Sequence, residues 1–113
     1  MGTRDEVHPD AEAKLTKIAN ELYHINFIKT ARVGFNKDSG SFGSHDITMP
    51  LKLNEGFGSK WIERDEFKKV INSIEAIMKK FKIDLYWELV FDNNQPAIVI
   101  YPLSEKEEQK LKL

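Results

Sequence analysis

The sequence predicts a small α+β domain in which four antiparallel strands form one sheet and two helices cover one face of it. Two segments place apolar residues at helical spacing, and four segments alternate apolar with polar residues. Their order along the chain is α-β-β-α-β-β, followed by a charged tail. Two hairpins, each preceded by a helix, favour this arrangement.

The first helix is predicted to begin at Pro9 and to end near Tyr23 or His24. Proline suits the first helical position because its φ is fixed there and its missing N–H is not needed. Asp10 and Glu12 add negative charge at the positive end of the helix dipole. The apolar positions of this helix are Ala11, Leu15, Ile18, Ala19 and Leu22.

The second helix has the clearest apolar stripe in the chain. Acidic residues precede the stripe and lysines follow it, which complements the helix dipole at both ends. The stripe consists of Phe67, Val70, Ile71, Ile74, Ile77, Met78 and Phe81.

The four predicted strands cover residues 26–35, 45–53, 83–91 and 97–103. Alternation with a period of two indicates a sheet with one buried face. Pro50 cannot donate a backbone hydrogen bond, so the strand 45–53 is predicted to be an edge strand or to carry a bulge. Residues 92–96 form a turn that makes the last two strands a hairpin.

The predicted core combines the apolar faces of the helices and the strands. Two Gly-rich loops, 36–44 and 54–60, connect the elements around it. The core residues are predicted to be Leu15, Ile18, Leu22, Val33, Ile47, Leu51, Phe67, Val70, Ile74, Phe81, Leu85, Trp87 and Leu89.

Length and composition predict one domain over residues 1–113, with residues 1–8 and 104–113 flexible or peripheral. A chain of this length can bury one core without disulfides. The tail from Ser104 is expected to form a short helix or to fray. No apolar run reaches membrane-spanning length and the first residues do not resemble a signal peptide, so we expect no membrane association and a cytoplasmic location.

Composition and spacing do not favour enzymatic chemistry. The chain has no cysteine, which excludes disulfides, thiolate nucleophiles and cysteine zinc sites. His8, His24 and His45 do not form the i, i+4 pair of a helical zinc site. We therefore predict no catalytic residue, no metal site and no cofactor.

The first functional hypothesis is a non-enzymatic regulatory module that binds a protein. Exposed aromatic side chains in the Gly-rich loops are typical of interaction hot spots. An edge strand at 45–53 would allow pairing with a partner or with a second copy in a homodimer. The candidate residues are Phe42, Phe57, Trp61 and Met49.

The alternative hypothesis is a domain that binds single-stranded DNA or RNA. Residues 25–82 have eleven basic and seven acidic side chains, and the predicted open sheet face includes cations and an aromatic residue. Single-stranded nucleic acids are bound by cations along the phosphates and by aromatic rings that stack on bases. The candidate residues are Arg32, Lys52, Tyr86, Lys37 and Lys60.

Overall fold

The computed structural model describes residues 7–36, 43–82 and 85–113, and it confirms the predicted α+β class. Both predicted helices and all four predicted strands are present, with shifted strand ends. The elements are α1 (Pro9–Leu22), β1 (Arg32–Asn36), β2 (Ser44–Pro50), β3 (Asn54–Gly56), β4 (Ser59–Trp61), α2 (Arg64–Phe81), β5 (Leu85–Asp92), β6 (Gln95–Pro102) and α3 (Glu105–Leu111).

The main sheet has four strands in the order β1-β2-β6-β5, and all neighbours are antiparallel. It consists of two hairpins, β1–β2 and β5–β6, that meet where β2 pairs with β6. Ile47 is opposite Ile100 at this junction, and Trp87 is opposite Ile100 on the other side. β5 is therefore one edge of the sheet and β1 is the other.

The core lies between one face of the sheet and the helices. Ile47, Met49, Ile98 and Ile100 have no exposed area, and they pack with buried residues of α1, α2 and α3. Burial of one such side chain contributes about 1.5–3 kcal/mol. The helical contribution comes from Ala11, Leu15, Ile18, Ala19, Leu22, Val70, Ile74 and Leu111.

Local signals define the helix ends. The side chain of His8 accepts a hydrogen bond from the backbone N–H of Asp10 and caps α1. Glu63 and Glu66 form a capping box at the start of α2, so each side chain satisfies the other residue's backbone N–H. Lys82 ends α2 in the left-handed conformation.

The chain around residues 25–31 differs from the prediction that a strand begins at residue 26. Phe27 has a φ of 72°, which breaks the extended path. Ile28 makes an isolated bridge to Leu51, whereas Arg32 pairs with Thr48. The segment from Ile28 to Arg32 advances by four residues, whereas the facing segment from Leu51 to Thr48 advances by three. The continuous ladder between β1 and β2 therefore begins only at Arg32.

Of the two alternatives predicted for the strand containing Pro50, an edge position or a bulge, the edge position is wrong, and the extra residue lies in the facing segment between Ile28 and Arg32. β2 pairs with β1 on one side and with β6 on the other, and Pro50 is opposite Ala97. The carbonyl of Pro50 accepts from the backbone N–H of Lys29. Proline is tolerated because it lies at the end of β2, beside the irregular segment that precedes β1.

The loop predicted at 54–60 is largely a second, two-stranded sheet. β3 and β4 pair across a turn at Phe57 and Gly58, which have φ values of 52° and 76°. Two successive positive φ values are the mark of a type I′ turn, which suits tight hairpins. Strands of three residues are too short to show alternation, so the sequence pattern does not reveal β3 and β4.

Burial corrects one predicted core residue. Leu89 is 48% exposed, because β5 is an edge strand and the helices do not cover this position. Val33, Phe67, Phe81 and Trp87 are partly buried and pack against the core, whereas the side chain of Leu85 lies outside the described part of the structure.

The tail forms α3, in which Ser104 caps the first turn by accepting from the N–H of Glu107. Leu111 and Glu108 are buried, so this short helix closes one end of the core. Among the described helices, none is long and apolar enough to cross a membrane.

Candidate protein-binding surface

The outer edge of β5 has no described strand beside it. Asp92 pairs with Gln95 across a two-residue turn at Asn93 and Asn94. Phe91 is opposite Pro96, whose carbonyl accepts from Leu51 on the β2 side. Proline has no N–H to offer Phe91, so the backbone groups of Phe91 point away from β6.

Hydrogen-bonding direction alternates along a strand, so every second residue of β5 shares the orientation of Phe91. The backbone N–H and C=O groups of Leu85, Trp87, Leu89 and Phe91 are directed outward. This register also agrees with the position of Pro102 opposite Leu85. An eight-residue strand thus presents a regular row of donors and acceptors.

Apolar side chains accompany these backbone groups. Leu89 is 48% exposed and Phe91 is 75% exposed, and both lie on the same face of the strand as Trp87. Trp87 contacts Phe67 of α2 in an edge-to-face arrangement, with ring centroids 6.4 Å apart. We name Trp87, Leu89, Phe91 and the outward backbone of β5 the β5 edge surface.

The other edge of the sheet lacks these features. β1 has five residues and includes Arg32 and Gly34. Short edge strands and charged side chains are devices that prevent unwanted strand pairing. β5 has eight residues, and its charged residues are Glu88 and Asp92, without lysine, arginine or proline, so its edge favours pairing more than the edge of β1 does.

The β3–β4 hairpin presents a second exposed aromatic group. Phe57 is fully exposed and has left-handed backbone geometry, which costs energy for a bulky side chain. Trp61 is 40% exposed; its Nε1–H donates to Glu63 over 3.0 Å, and its ring lies over Gly56. Phe57 is thus the least supported aromatic side chain in the hairpin.

The remaining protein-binding candidates do not join these surfaces. Met49 is fully buried between the sheet and the helices, so it cannot contact a partner. Phe42 lies outside the described residues, as does the nucleic-acid candidate Lys37. Sequence reasoning missed Leu89 and Phe91, although the long apolar strand without lysine or proline was a usable signal for an unprotected edge.

The open face of the sheet, opposite the helices, is a mixed surface rather than a basic one. Tyr86 and Tyr101 contact each other edge to face, with centroids 5.6 Å apart. Arg32 and Thr48 share this face with the carboxylates of Asp46 and Glu88. Burial, followed by the charge of Glu88, raises the pKa of Tyr101, and burial also raises the pKa of Asp46.

The other two basic candidates lie at one end of the sheet. Lys60 forms an exposed ion pair with Glu55, with 3.3 Å between Nζ and Oε1. Lys52 lies near Lys29 beside the bridge between Ile28 and Leu51. The structure does not place Lys52 or Lys60 on the strands that carry Arg32 and Tyr86, so the five candidates do not form one described patch.

A buried polar cluster joins three elements of the fold. His45 Nδ1 is 2.8 Å from Glu108 Oε2, and the backbone N–H of His45 donates to Glu108 Oε1 over 2.8 Å. His45 Nε2 accepts from the backbone N–H of His8 over 3.0 Å. Both side chains are buried, which assigns the cluster a structural role and leaves no access for a substrate.

Comparison of the chain with family models, with curated proteins and with solved structures gives no match in any of the three. Within the described ranges, no group of three or more His, Asp or Glu side chains is placed to hold a metal ion.

A groove lies between the end of α1 and α2. Its volume is about 580 Å³, and Phe27, with its positive φ, forms part of the wall. It is open and combines apolar with charged side chains, without a convergent set of polar groups that would orient a ligand. The other lining residues are Glu21, His24, Ile25, Asn26, Glu66, Lys69, Val70, Ser73, Ala76 and Ile77.

Proposed function

We propose that the protein is a protein-interaction module and that the β5 edge surface is its binding site. The observation that supports this proposal is the coincidence of an eight-residue strand, whose outer edge has no described strand beside it, with the exposed side chains of Leu89 and Phe91. An extended segment of a partner adds to the sheet beside β5. Main-chain hydrogen bonds then provide affinity and the side chains provide selectivity.

The chemistry of the surface defines the partner segment. Residues of the segment that face Leu89 and Phe91 should be apolar or aromatic, since these side chains are partly in water before binding. Residues on the opposite face meet Tyr86 and Glu88, so a cation or a hydrogen-bond donor is favoured there. The expected ligand is an extended peptide with alternating apolar and polar or basic residues.

Selection of a displayed library of random peptides on the immobilised protein tests this proposal. Enriched peptides should show the alternation described above. Their affinity should fall by roughly tenfold or more in Leu89→Lys and in Phe91→Lys, because each variant places a charge in the apolar contact. Leu103→Lys is the matched control, since Leu103 is an exposed leucine outside β5.

Equal binding of the enriched peptides to wild type and to Leu89→Lys would contradict this site. Phe57→Asn separates the hairpin from β5. Asparagine suits a type I′ turn better than phenylalanine, so this variant removes the ring while keeping the turn. Lost binding in Phe57→Asn alone would move the site to the β3–β4 hairpin.

A second candidate function is the binding of single-stranded nucleic acid on the open face. The observation that favours it is the Tyr86–Tyr101 pair, since exposed aromatic rings on a sheet can stack on bases. Asp46 and Glu88 on the same face oppose a polyanion, which places this candidate second.

Fluorescence anisotropy with labelled DNA and RNA oligomers tests the second candidate. Binding should fall steeply as salt rises, and Tyr86→Ala and Arg32→Ala should weaken it. Absence of binding at low salt, where electrostatic attraction is strongest, would remove this candidate.

A further inference from the structure

We infer that a second copy of this chain is a partner for the β5 edge surface, in a two-fold dimer centred on Leu89. This inference rests on the proposed function, because it uses the same surface. The two β5 strands run antiparallel, and the two four-stranded sheets join into one continuous sheet of eight strands.

Symmetry restricts the register of such a pair. A two-fold axis perpendicular to the sheet keeps each side chain on its own face, so the axis must pass through a residue position rather than between two positions. Near the middle of β5 the axis can therefore pass through Glu88 or through Leu89.

Charge and hydrogen bonding distinguish these two registers. An axis at Glu88 would place Glu88 directly opposite Glu88 of the second copy, and like charges in this arrangement are destabilising. An axis at Leu89 places two leucines opposite each other, in a position where both backbones point outward and can exchange hydrogen bonds.

The Leu89 register also places suitable side chains opposite one another. Trp87 is opposite Phe91 of the second copy, and the two-fold axis repeats this pair on the other side of Leu89. Aromatic pairs across strands are among the favourable contacts of antiparallel sheets. Glu88 is then opposite Val90 of the second copy, which avoids an encounter between carboxylates.

The difference between the two edges limits the assembly to a dimer. β1 is short and includes a cation, so it does not extend the chain of sheets. A single strand pair buries less than a standard protein interface, so the dimer is expected to dissociate in the micromolar range.

Sedimentation velocity of the full chain over a range of concentrations measures this equilibrium. The expected result is a reversible increase in mass from 13.1 kDa towards twice that value. Leu89→Lys should weaken the dimer by roughly tenfold or more, since two lysines would meet at the axis. Leu103→Lys should dimerise as wild type does.

A single introduced cysteine tests the register without depending on a destabilising variant. The chain has no cysteine, so any disulfide must join two copies. In the proposed register Leu89→Cys places the two Cα atoms about 5.5 Å apart, within disulfide range. With oxidised glutathione, Leu89→Cys should cross-link, and Glu88→Cys should cross-link far more slowly.

Preferred cross-linking of Glu88→Cys, or a dimer that Leu89→Lys leaves intact, would overturn the inference. A wild-type chain that stays monomeric throughout the range would overturn it as well. If the wild-type chain stays monomeric, the peptide selection still tests the proposed function, because peptide binding does not require self-association. Failure of both experiments would remove the β5 edge surface as a binding site.

Discussion

His45 and Glu108 form a buried pair that joins β2 to α3, with Nδ1 and Oε2 2.8 Å apart. The other ring nitrogen, Nε2, accepts from the backbone N–H of His8 and so has no proton of its own. The ring proton therefore lies on Nδ1, which donates to the carboxylate of Glu108. One histidine thereby ties the start of α1 and the tail helix to the sheet.

This hydrogen-bond pattern predicts the tautomer of His45. Long-range proton–nitrogen NMR correlation should show a protonated Nδ1 and an unprotonated Nε2 for His45 near neutral pH. His24 is exposed, so it serves as an internal reference. A proton on Nε2 of His45 would contradict the contact with His8.

Replacement of Glu108 should strongly destabilise the fold. Glu108→Ala leaves the Nδ1–H and the backbone N–H of His45 buried without an acceptor. Each buried donor left without an acceptor costs about 1–3 kcal/mol, so the free energy of unfolding measured by urea denaturation should fall by about 2–6 kcal/mol. Glu105→Ala is the control, because this exposed residue of the same helix should change stability by about 0.5 kcal/mol or less.

The turn between β5 and β6 predicts a stabilising substitution. Asn93 and Asn94 have φ values of 53° and 63°, as a type I′ turn requires, and Asn-Gly is the preferred pair for such a turn. Asn94→Gly should raise the thermal midpoint, whereas Asn94→Ala should lower stability by about 1 kcal/mol. Equal midpoints for the two variants would show that the turn relaxes to another conformation.

Phe67 and Trp87 should stabilise the fold as a coupled pair. Their rings are in edge-to-face contact, and both side chains are only partly buried. A double-mutant cycle with Phe67→Ala and Trp87→Ala should give a coupling energy of about 0.5–1.5 kcal/mol. Additive effects of the two substitutions would indicate that the rings contribute through burial alone.

The half-buried carboxyl of Asp46 predicts that its replacement stabilises the fold in a pH-dependent way. Burial raises its pKa above 3.8, so the ionised form is less stable in the folded protein than in the unfolded chain. Stability therefore decreases as pH rises from 3.8 through the folded pKa. Asp46→Asn should raise the urea midpoint at neutral pH, and this gain should disappear below pH 3.8.

The sequence predicted the helices best. Pro9 and the apolar stripe from Phe67 to Phe81 define α1 and α2 through local signals, and the structure confirms both. The strand ends were less predictable, because the break at Phe27 depends on contacts with the chain near Leu51. Alternation shows which face of a strand is apolar, but it does not show which strands lie in the middle of a sheet.

The candidate surfaces were less predictable for the same reason. Met49 and Leu89 both occupy apolar positions of alternating segments, yet Met49 lies in a central strand and Leu89 in an edge strand. Strand order decided which of the two is exposed. The pairing of His45 with Glu108, 63 residues away, likewise depends on tertiary structure.

The long separation of His45 and Glu108 also has a consequence for synthesis on the ribosome. At about 5–20 residues per second, His45 is made roughly 3–13 seconds before its carboxylate partner. β6, which fills the place between β2 and β5, is also made late. During elongation β2 has only β1 beside it, so the nascent chain exposes the future centre of the sheet until its last strand emerges.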